Sequence, residues 1–258
     1  MTAGADAYGP AEIAARVESA GVAKARMPLR QMLALAVLAG AFIGFGTAFF
    51  LVAMTGADPG FGPQRVLGGV VFSLGLILVV VGGAELFTGN ALMVMAWVDG
   101  RIRAGEVVRA WAIVWLGNLV GAAGLALAFG VAGLAGGGIG ATVVGIAEAK
   151  AALTVPEALV RGALCNALVC LAVWLSIGAR TAEGRILAIV WPVAAFVALG
   201  LEHSVANMFL FPLAALAGAQ VTAAEAAANL FWVSLGNIAG GAGGVALAYR
   251  LAFHGDAA

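Results

Sequence analysis

Three ionisable side chains interrupt stretches of the sequence that are otherwise apolar. Glu85 stands alone within residues 66–98, and Glu202 and His203 stand together within residues 186–224. A charge at the centre of a bilayer costs about 2.5–3.5 kcal/mol on insertion scales, so such residues mark candidate functional sites. His203 is of the type that titrates near neutral pH and can donate a hydrogen bond or a proton. We therefore take His203 as the main candidate for chemistry.

Each of these residues also has a purely structural interpretation. Glu85 and Glu202 would accept hydrogen bonds from loop N–H groups and so cap the ends of interrupted helices, which is the role we favour for both. The corresponding alternative for His203 is a neutral ring bonded to a loop carbonyl. We favour the functional interpretation for the histidine.

The remaining residues of metal-binding type predict no further site. His254 lies near the C-terminus and is expected to be solvated. Cys165 and Cys170 fall in one apolar stretch, where a disulfide at this spacing is not feasible, and without a neighbouring histidine they make a poor metal site. We interpret both as small packing residues. No metal and no cofactor are predicted.

The composition excludes a soluble protein. Of the 258 residues, 63% are hydrophobic and 10% are charged, and the mean hydropathy is +1.07. A soluble domain carries about 25% charged and about 45–50% apolar residues. The 13 basic and 13 acidic residues cancel, so no basic face for nucleic acid is expected. A soluble enzyme, a disordered chain and a nucleic-acid-binding protein are thereby excluded, and an all-α membrane protein is predicted.

Six membrane spans are predicted from stretches free of Asp, Glu, Lys and Arg, because a transmembrane helix needs about 20 apolar residues. The expected limits are 30–56, 65–98, 107–131, 157–178, 184–215 and 224–251. The second span contains Glu85 and the fifth contains Glu202, so both are expected to be broken. Residues 30–252 would form the transmembrane domain, between an N-terminal segment (1–29) and a tail (253–258).

The distribution of Lys and Arg predicts the orientation of the spans. Ten of these residues fall on one side of the predicted membrane and three on the other, namely Arg65, Lys150 and Arg161. Both termini are therefore expected in the cytoplasm. Residues 1–29 contain no apolar run typical of a signal peptide. Residues 10–20 instead predict a short amphipathic helix at the cytoplasmic surface, ended by Gly21.

Two segments resemble each other and predict an internal repeat. Residues 83–90 and 200–207 both have Gly two positions before Glu and Asn five positions after it. A Gly-Asn pair follows each segment, at 117–118 and 236–237. The repeats are expected over 30–131 and 157–251. With three spans in each, the second copy would enter the membrane from the opposite side.

The interrupted helices are expected to bring polar backbone to the middle of the membrane. Non-helical backbone is tolerated there only where it is buried or lines a cavity, and the expected breaks are 85–90 and 199–207. Half-helices that begin near Asn90 and Asn207 would direct free N–H groups towards the centre. That arrangement would attract a small anion.

Five stretches carry a resemblance to a known family: Phe72–Leu78, Gly83–Gly89, Gly117–Gly121, Asn166–Trp174 and Gly200–Met208. The most specific strings are Glu-Leu-Phe-Thr at 85–88 and Glu-His-Ser-Val-Ala-Asn-Met at 202–208. On these strings the chain resembles the formate/nitrite transporter family from about Pro10 to Tyr249.

This resemblance implies an aquaporin-like protomer of six helices in two inverted three-helix repeats, with one pore. It implies a homopentamer surrounded by lipid in the bacterial inner membrane, with no enzymatic activity. The implied cargo is a small monovalent weak-acid anion such as formate or nitrite, and in some members hydrosulfide, acetate or lactate. Glu85 followed by Gly89 and Asn90, together with residues 162–166, is more similar to the nitrite-type members.

The resemblance also implies roles for individual residues. The implied central pore residues are His203, Thr88, Asn166 and Asn237. The implied cytoplasmic constriction is Leu76 with Leu86, the periplasmic constriction is Phe72 with Phe196, and the vestibule residue is Lys150. From the repeat itself we expect Glu85, Glu202, Asn90 and Asn207 to shape the two loops.

The expected mechanism follows from these roles. Apolar constrictions would exclude hydrated ions, because a naked anion crosses an apolar wall only at high cost. Lys150 would attract the anion, and His203 with Thr88 would hydrogen-bond or protonate it, which links flux to protons. The loop over 85–90 would gate the cytoplasmic mouth, under the influence of the N-terminal helix.

Two other classes of protein stay open at this point. An aquaporin-like channel for neutral solutes would need Asn-Pro-Ala in both half-helices, and neither Asn90 nor Asn207 begins that motif. A membrane-embedded hydrolase using Glu202 or His203 would need a Ser/His/Asp set or a His-Glu-x-x-His motif, which the sequence lacks.

Overall fold

The computed structural model describes residues 7–58 and 60–253, and these are almost entirely helical. The expectations for His254, for the end of the tail and for residues 1–6 lie outside the described residues. The α-helices are α1 (Pro10–Ala25), α2 (Leu29–Met54), α3 (Gly62–Gly82), α4 (Val94–Val98), α5 (Ala104–Val131), α6 (Gly137–Ala151), α7 (Val155–Gly178), α8 (Ala182–Ala198), α9 (Ser204–Leu216), α10 (Ala223–Ile238) and α11 (Ala248–Phe253). A 3-10 helix (Gly89–Met93) precedes α4, and a π-helix (Ala239–Leu247) joins α10 to α11.

Five helical stretches of the described residues are long and apolar enough to cross a membrane. They are Leu29–Met54, Gly62–Gly82, Ala104–Val131, Val155–Gly178 and Ala223–Phe253. Two shorter apolar helices, Gly89–Val98 and Ser204–Leu216, follow α3 and α8. Large apolar side chains cover the outer surface, with Val131 92% and Leu251 74% exposed. Such a surface suits lipid better than water.

The predicted second and fifth spans each correspond to two helices separated by non-helical backbone. Residues 83–88 separate α3 from the 3-10 helix, and residues 199–203 separate α8 from α9. The second helix of each pair begins at Gly89 or Ser204, earlier than the expected starts at Asn90 and Asn207.

A glycine in the left-handed region ends the first helix of each pair. Gly83 has φ +82° and Gly200 has φ +71°, values that cost any other L-residue free energy. The N–H groups of Gly83 and Ala84 both donate to Val79, which satisfies the end of α3.

The N-terminal helix is longer than the sequence predicted. It continues past Gly21 to Ala25. Gly21 does not end the helix but lies within it, against the backbone of Met93. A Cβ at Gly21 would lie 3.3 Å from Met93 Cα and 3.2 Å from Ala96 Cβ. The buried face of α1, which includes Val17, therefore packs on the chain itself.

Helix α6 was not predicted. It lies in the stretch after the third span that has few charges, and its glycines and alanines give little periodic signal. In position it matches α1, since both helices precede a long span and both carry a lysine in the last turn, Lys24 in α1 and Lys150 in α6.

Glycines allow close approach between the long helices. A Cβ at Gly40 or Gly121 would overlap backbone across the α2–α5 contact. Gly236 and Gly240 face the α7 backbone in the same way. These packings hold the long helices as a rigid frame around the two non-helical segments.

Candidate functional site

The two non-helical segments meet through His203 and Thr88. The Nε2 atom of His203 lies 3.0 Å from Thr88 Oγ1, and the two residues are only 3% and 1% exposed. His203 is also the N-cap of α9, because its Nδ1 accepts the N–H of Ala206 at 3.1 Å. An Nδ1 that accepts has no proton, so the neutral ring carries its proton on Nε2 and donates to Thr88.

Two phenylalanines form an aromatic wall beside the histidine. The Phe196 ring stacks on the His203 ring, with centroids 5.9 Å apart and planes 17° apart. Phe72 meets Phe196 edge to face, with centroids 5.6 Å apart. The residues assigned to the periplasmic constriction thus lie together, and one of them, Phe196, contacts the imidazole.

Two separate cavities flank this part of the chain. One, of about 240 Å³, is lined by His203, Phe72, Phe196 and Lys150. The other, of about 250 Å³, is lined by Leu76, Leu86, Gly89 and Lys24. The two cavities have no lining residue in common.

Each buried glutamate is paired with a lysine and an asparagine. Lys24 Nζ lies 2.6 Å from Glu85 Oε1, and Asn90 Nδ2 donates to Glu85 Oε2 at 3.0 Å. In the other half, Lys150 Nζ lies 2.7 Å from Glu202 Oε1, and Asn207 Nδ2 donates to Glu202 Oε2 at 2.7 Å. The described bonds of both carboxylates therefore go to side chains, and not to the loop N–H groups that we had expected.

The lysine of each pair is the more accessible partner. The Lys150 side chain is 17% exposed against 3% for Glu202, and the Lys24 side chain is 28% exposed against 8% for Glu85. Both members of each pair line a cavity, Lys150 with Glu202 the first and Lys24 with Glu85 the second. This arrangement presents positive charge to the entrance of each cavity without leaving a charge unpaired in the interior.

Two asparagines hold the backbone of the non-helical segments. Asn118 Oδ1 accepts from Phe87 N at 2.9 Å, and its Nδ2 donates to Glu85 O and Ala36 O at 3.0 and 2.7 Å. Asn118 therefore fixes the segment that carries Thr88.

Asn237 makes the corresponding bonds in the second half. Its Oδ1 accepts from Ser204 N at 3.0 Å, and its Nδ2 donates to Glu202 O and Gly162 O at 2.9 and 2.8 Å. Both asparagines come from a Gly-Asn pair in a long helix. The side-chain amide of Asn237, assigned to the pore by resemblance, thus bonds to backbone.

Asn166 connects the Thr88 segment to two long helices. Its Nδ2 donates to Thr88 O at 3.1 Å and to Asn237 O at 2.6 Å. Its Oδ1 is buried without a partner among the described residues. The Sγ of Cys170 lies 3.6 Å from the same Thr88 carbonyl, so this cysteine packs against the site.

Sequence reasoning missed Lys24 and the capping role of His203. Lys24 was counted only among the ten basic residues that set the orientation, although it stands in the last turn of the helix before a long span, as Lys150 does. The cap had a sequence signal too, since His203 immediately precedes an apolar helical run. Among the described residues no group of three or more His, Cys, Asp or Glu could hold a metal ion.

Comparisons with known proteins agree on one family. The family model described as formate/nitrite transporter matches residues 11–251. The chain is 41% identical to the uncharacterized transporter YrhG of Bacillus subtilis over 249 residues, which is 95% of this chain and 93% of that protein. It is 40% identical to the formate channel FocA of Escherichia coli, over 88% of this chain and 79% of that one. It is 39% identical to the nitrite transporter NirC of Salmonella typhimurium, over 82% and 79%.

Solved structures agree as well. An FNT family ion channel superposes with a TM-score of 0.86 at 32% identity, covering 93% of this chain and 98% of that one. A pentameric formate channel with formate bound superposes with a TM-score of 0.81 at 36% identity, covering 88% and 98%. These relatives are channels and transporters rather than enzymes. Since the family model matches nearly the whole chain, this all-helical membrane protein belongs to the formate/nitrite transporter family.

Proposed function

We propose that this protein conducts small monovalent weak-acid anions, formate and nitrite among them, through a pore centred on His203. The observation that carries the proposal is the 3.0 Å contact between His203 Nε2 and Thr88 Oγ1. It puts one hydrogen-bond donor on the wall of the cavity that contains Lys150, beside the apolar rings of Phe72 and Phe196. The names of the relatives support formate and nitrite as cargo.

The architecture that fits this function has six spans in two inverted repeats. Helix α3 with the helical residues Gly89–Val98 would form one broken span, and α8 with α9 would form the other. The recurring sets of lysine, glutamate and asparagine support the repeat, with Lys24 and Glu85 in one half and Lys150 and Glu202 in the other. By this scheme residues 30–252 form the channel, over repeats 30–131 and 157–251.

The proposed setting is the bacterial inner membrane, with lipid around the apolar outer surface and both termini in the cytoplasm. This orientation rests on the excess of Lys and Arg on one side. The solved pentameric relative supports a homopentamer with one pore in each protomer.

The proposed path enters at the cavity with Lys150 and leaves at the cavity with Lys24. Lys150 would draw the anion from the periplasm, and Phe72 with Phe196 would strip its water. After His203, the anion would pass Leu76 and Leu86 to reach the cytoplasmic cavity. Movement of the Thr88 segment would open that second constriction.

At the centre, the anion would displace Thr88 and accept the hydrogen bond of His203 Nε2–H. Full proton transfer from Nε2 would leave an imidazolate, unless Nδ1 first took up a proton. A proton on Nδ1 would in turn displace the N–H of Ala206 and remove the cap of α9. The geometry therefore favours hydrogen-bond donation, with proton transfer as the costlier route by which flux is linked to protons.

The test is uptake into proteoliposomes of purified protein, measured with an internal pH-sensitive dye and an imposed formate or nitrite gradient. We expect His203→Phe to abolish proton-linked uptake, because it removes the only imidazole among the described residues. Glycerol-driven swelling of the same liposomes tests for a neutral-solute channel. Undiminished proton-linked flux in His203→Phe would contradict the proposed mechanism.

A further inference from the structure

A third cavity of about 260 Å³ lies outside the proposed pore and is lined by three arginines. Arg16 comes from α1, and Arg180 and Arg185 come from the turn between α7 and α8 and the start of α8. Tyr8 completes the polar wall. No Asp or Glu among the described residues lines this cavity. The proposed function of the chain gives this cluster no role.

The chain folds so as to bring these guanidinium groups together. Tyr8 N donates to Gly178 O at 2.8 Å, which docks the segment before α1 on the end of α7. The Cζ atom of Arg16 lies 3.5 Å from the centre of the Tyr8 ring, and that of Arg180 lies 4.4 Å from it. Cation–π contact holds both groups at the rim of the cavity.

The nearby carboxylates leave positive charge at this rim. Glu12, one turn before Arg16, accepts from Gly9 N at 3.0 Å. Glu183 stands near Arg185 in the chain but does not line the cavity. Within the described part of the chain, neither Arg16 nor Arg185 forms an ion pair with a carboxylate. A concave site with clustered like charges is stabilised by an anion that bridges them.

We propose that this arginine cavity binds a phosphate group. The planar guanidinium donates two parallel hydrogen bonds to phosphate oxygens, so several arginines around one cavity select phosphate over a smaller monovalent anion. The phosphate could belong to a soluble molecule of the cytoplasm or to the headgroup of an anionic lipid, since basic pockets between membrane helices bind such headgroups.

A bound phosphate would act on the neighbouring cavity. Val80, Ser176 and Ile177 line both the arginine cavity and the cavity that contains Leu76 and Leu86. A phosphate would therefore put negative charge next to the proposed cytoplasmic mouth and bridge α1 to the α7–α8 turn. Anions would then enter more slowly from that side, a consequence that rests on the proposed function of the chain.

The test measures binding directly and needs no flux. Purified protein in nanodiscs of phosphatidylcholine is dialysed against radiolabelled inorganic phosphate at constant ionic strength. We expect saturable binding that weakens roughly tenfold in Arg185→Gln and further in Arg16→Gln/Arg185→Gln, because each loses a charge-assisted bond. Arg185 makes no described contact with Tyr8, so its replacement leaves the docked segment intact. The matched control is Arg30→Gln, an exposed arginine outside the cavity.

The lipid source is tested by the same variants in nanodiscs that contain phosphatidylglycerol. Retention of this lipid after exchange into phosphatidylcholine, lost in the double variant but kept in Arg30→Gln, would support a headgroup site. The proposal is overturned if wild-type protein and the double variant bind both probes equally, or if neither probe binds. Either result is independent of whether the pore carries formate.

Discussion

Lys24 and Lys150 are bound to buried glutamates in the same way in the two halves of the chain. Each lysine ends a helix that precedes a long span, and each ammonium lies within 2.7 Å of a carboxylate oxygen, at Glu85 or Glu202. The same carboxylates also bind an asparagine five residues further along. A pair of this kind keeps the carboxylate of each non-helical segment compensated, and so holds the backbone on which Thr88 or His203 stands.

The lysine–glutamate pairs predict that stability lost by replacing the lysine is restored by also replacing the glutamate. Lys150→Met should leave Glu202 charged and unpaired, at a cost towards the low end of about 3–5 kcal/mol, because the lysine is partly exposed. Adding Glu202→Gln removes the buried charge and keeps an acceptor for Asn207, so thermal stability should return. The measurement is the melting temperature of the purified protein for the two single variants and the double variant.

The rate of formate uptake by the same double variant distinguishes the structural role of Lys150 from its attraction of the anion. If Lys150 draws anions into the cavity, the stabilised Lys150→Met/Glu202→Gln protein should still take up formate more slowly than wild type. Equal melting temperatures of the Lys150→Met and double variants would count against the pairing argument.

The histidine cap predicts different outcomes for two substitutions of His203. Asn is a good N-cap, so His203→Asn should keep the bond from Ala206 N–H and fold with nearly wild-type stability. His203→Phe cannot accept that bond and should lose about 0.5–2 kcal/mol. Both variants lose the Nε2 donor, so proton-linked uptake should fail in both.

Melting temperatures and dye-monitored uptake distinguish the two roles of this residue. Wild-type uptake in His203→Asn would show that the imidazole is needed only as a cap. Equal losses of stability in the two variants would mean that the Ala206 bond contributes nothing measurable.

The contact between His203 and Thr88 predicts a stability that depends on the anion. Thr88→Val removes the acceptor and leaves a buried N–H donor unpaired, which costs about 1–3 kcal/mol. Formate or nitrite bound at His203 would satisfy that donor. The variant should therefore melt below wild type without anion and recover more than wild type does when formate is added.

A threonine away from the site provides the control. Thr55 Oγ1 donates to Leu51 O at 2.7 Å at the end of α2, and it lines neither proposed pore cavity. Thr55→Val should melt lower without any change in the effect of formate. A formate effect that is the same in Thr88→Val and wild type would argue against anion binding at the histidine.

Much of the helical frame was predictable because hydropathy reports the environment of a helix directly. The long helices α2, α5 and α7 begin and end within a few residues of the expected limits. The segments around Glu85 and Glu202 were predictable for the same reason, since an acid in an apolar run needs special surroundings.

The sequence could not reveal helix α6, which is too rich in small residues to give a periodic signal. Nor could it reveal contacts that only the fold creates. Gly21 was predicted to end α1, whereas it permits close contact with Met93, which only the fold brings near. The tautomer of His203 depends on the N–H of Ala206 and the hydroxyl of Thr88, and the latter comes from the other half of the chain.

Replacing the glycine that ends α3 by alanine should destabilise the protein, whereas the same replacement inside a helix should stabilise it. Gly83 has φ +82°, and a Cβ there would meet no atom within 4 Å, so Gly83→Ala isolates the cost of left-handed backbone. That cost is about 1–2 kcal/mol. Gly124 lies inside α5 with equally open space around it, and there Ala should stabilise by about 0.5–1 kcal/mol. We therefore expect the melting temperature to fall in Gly83→Ala and to rise in Gly124→Ala.

Because Gly83 precedes the segment that carries Thr88, its variant should also slow formate uptake, whereas Gly124→Ala should not. A Gly83→Ala protein as stable and as active as wild type would mean that the chain leaves α3 by another route.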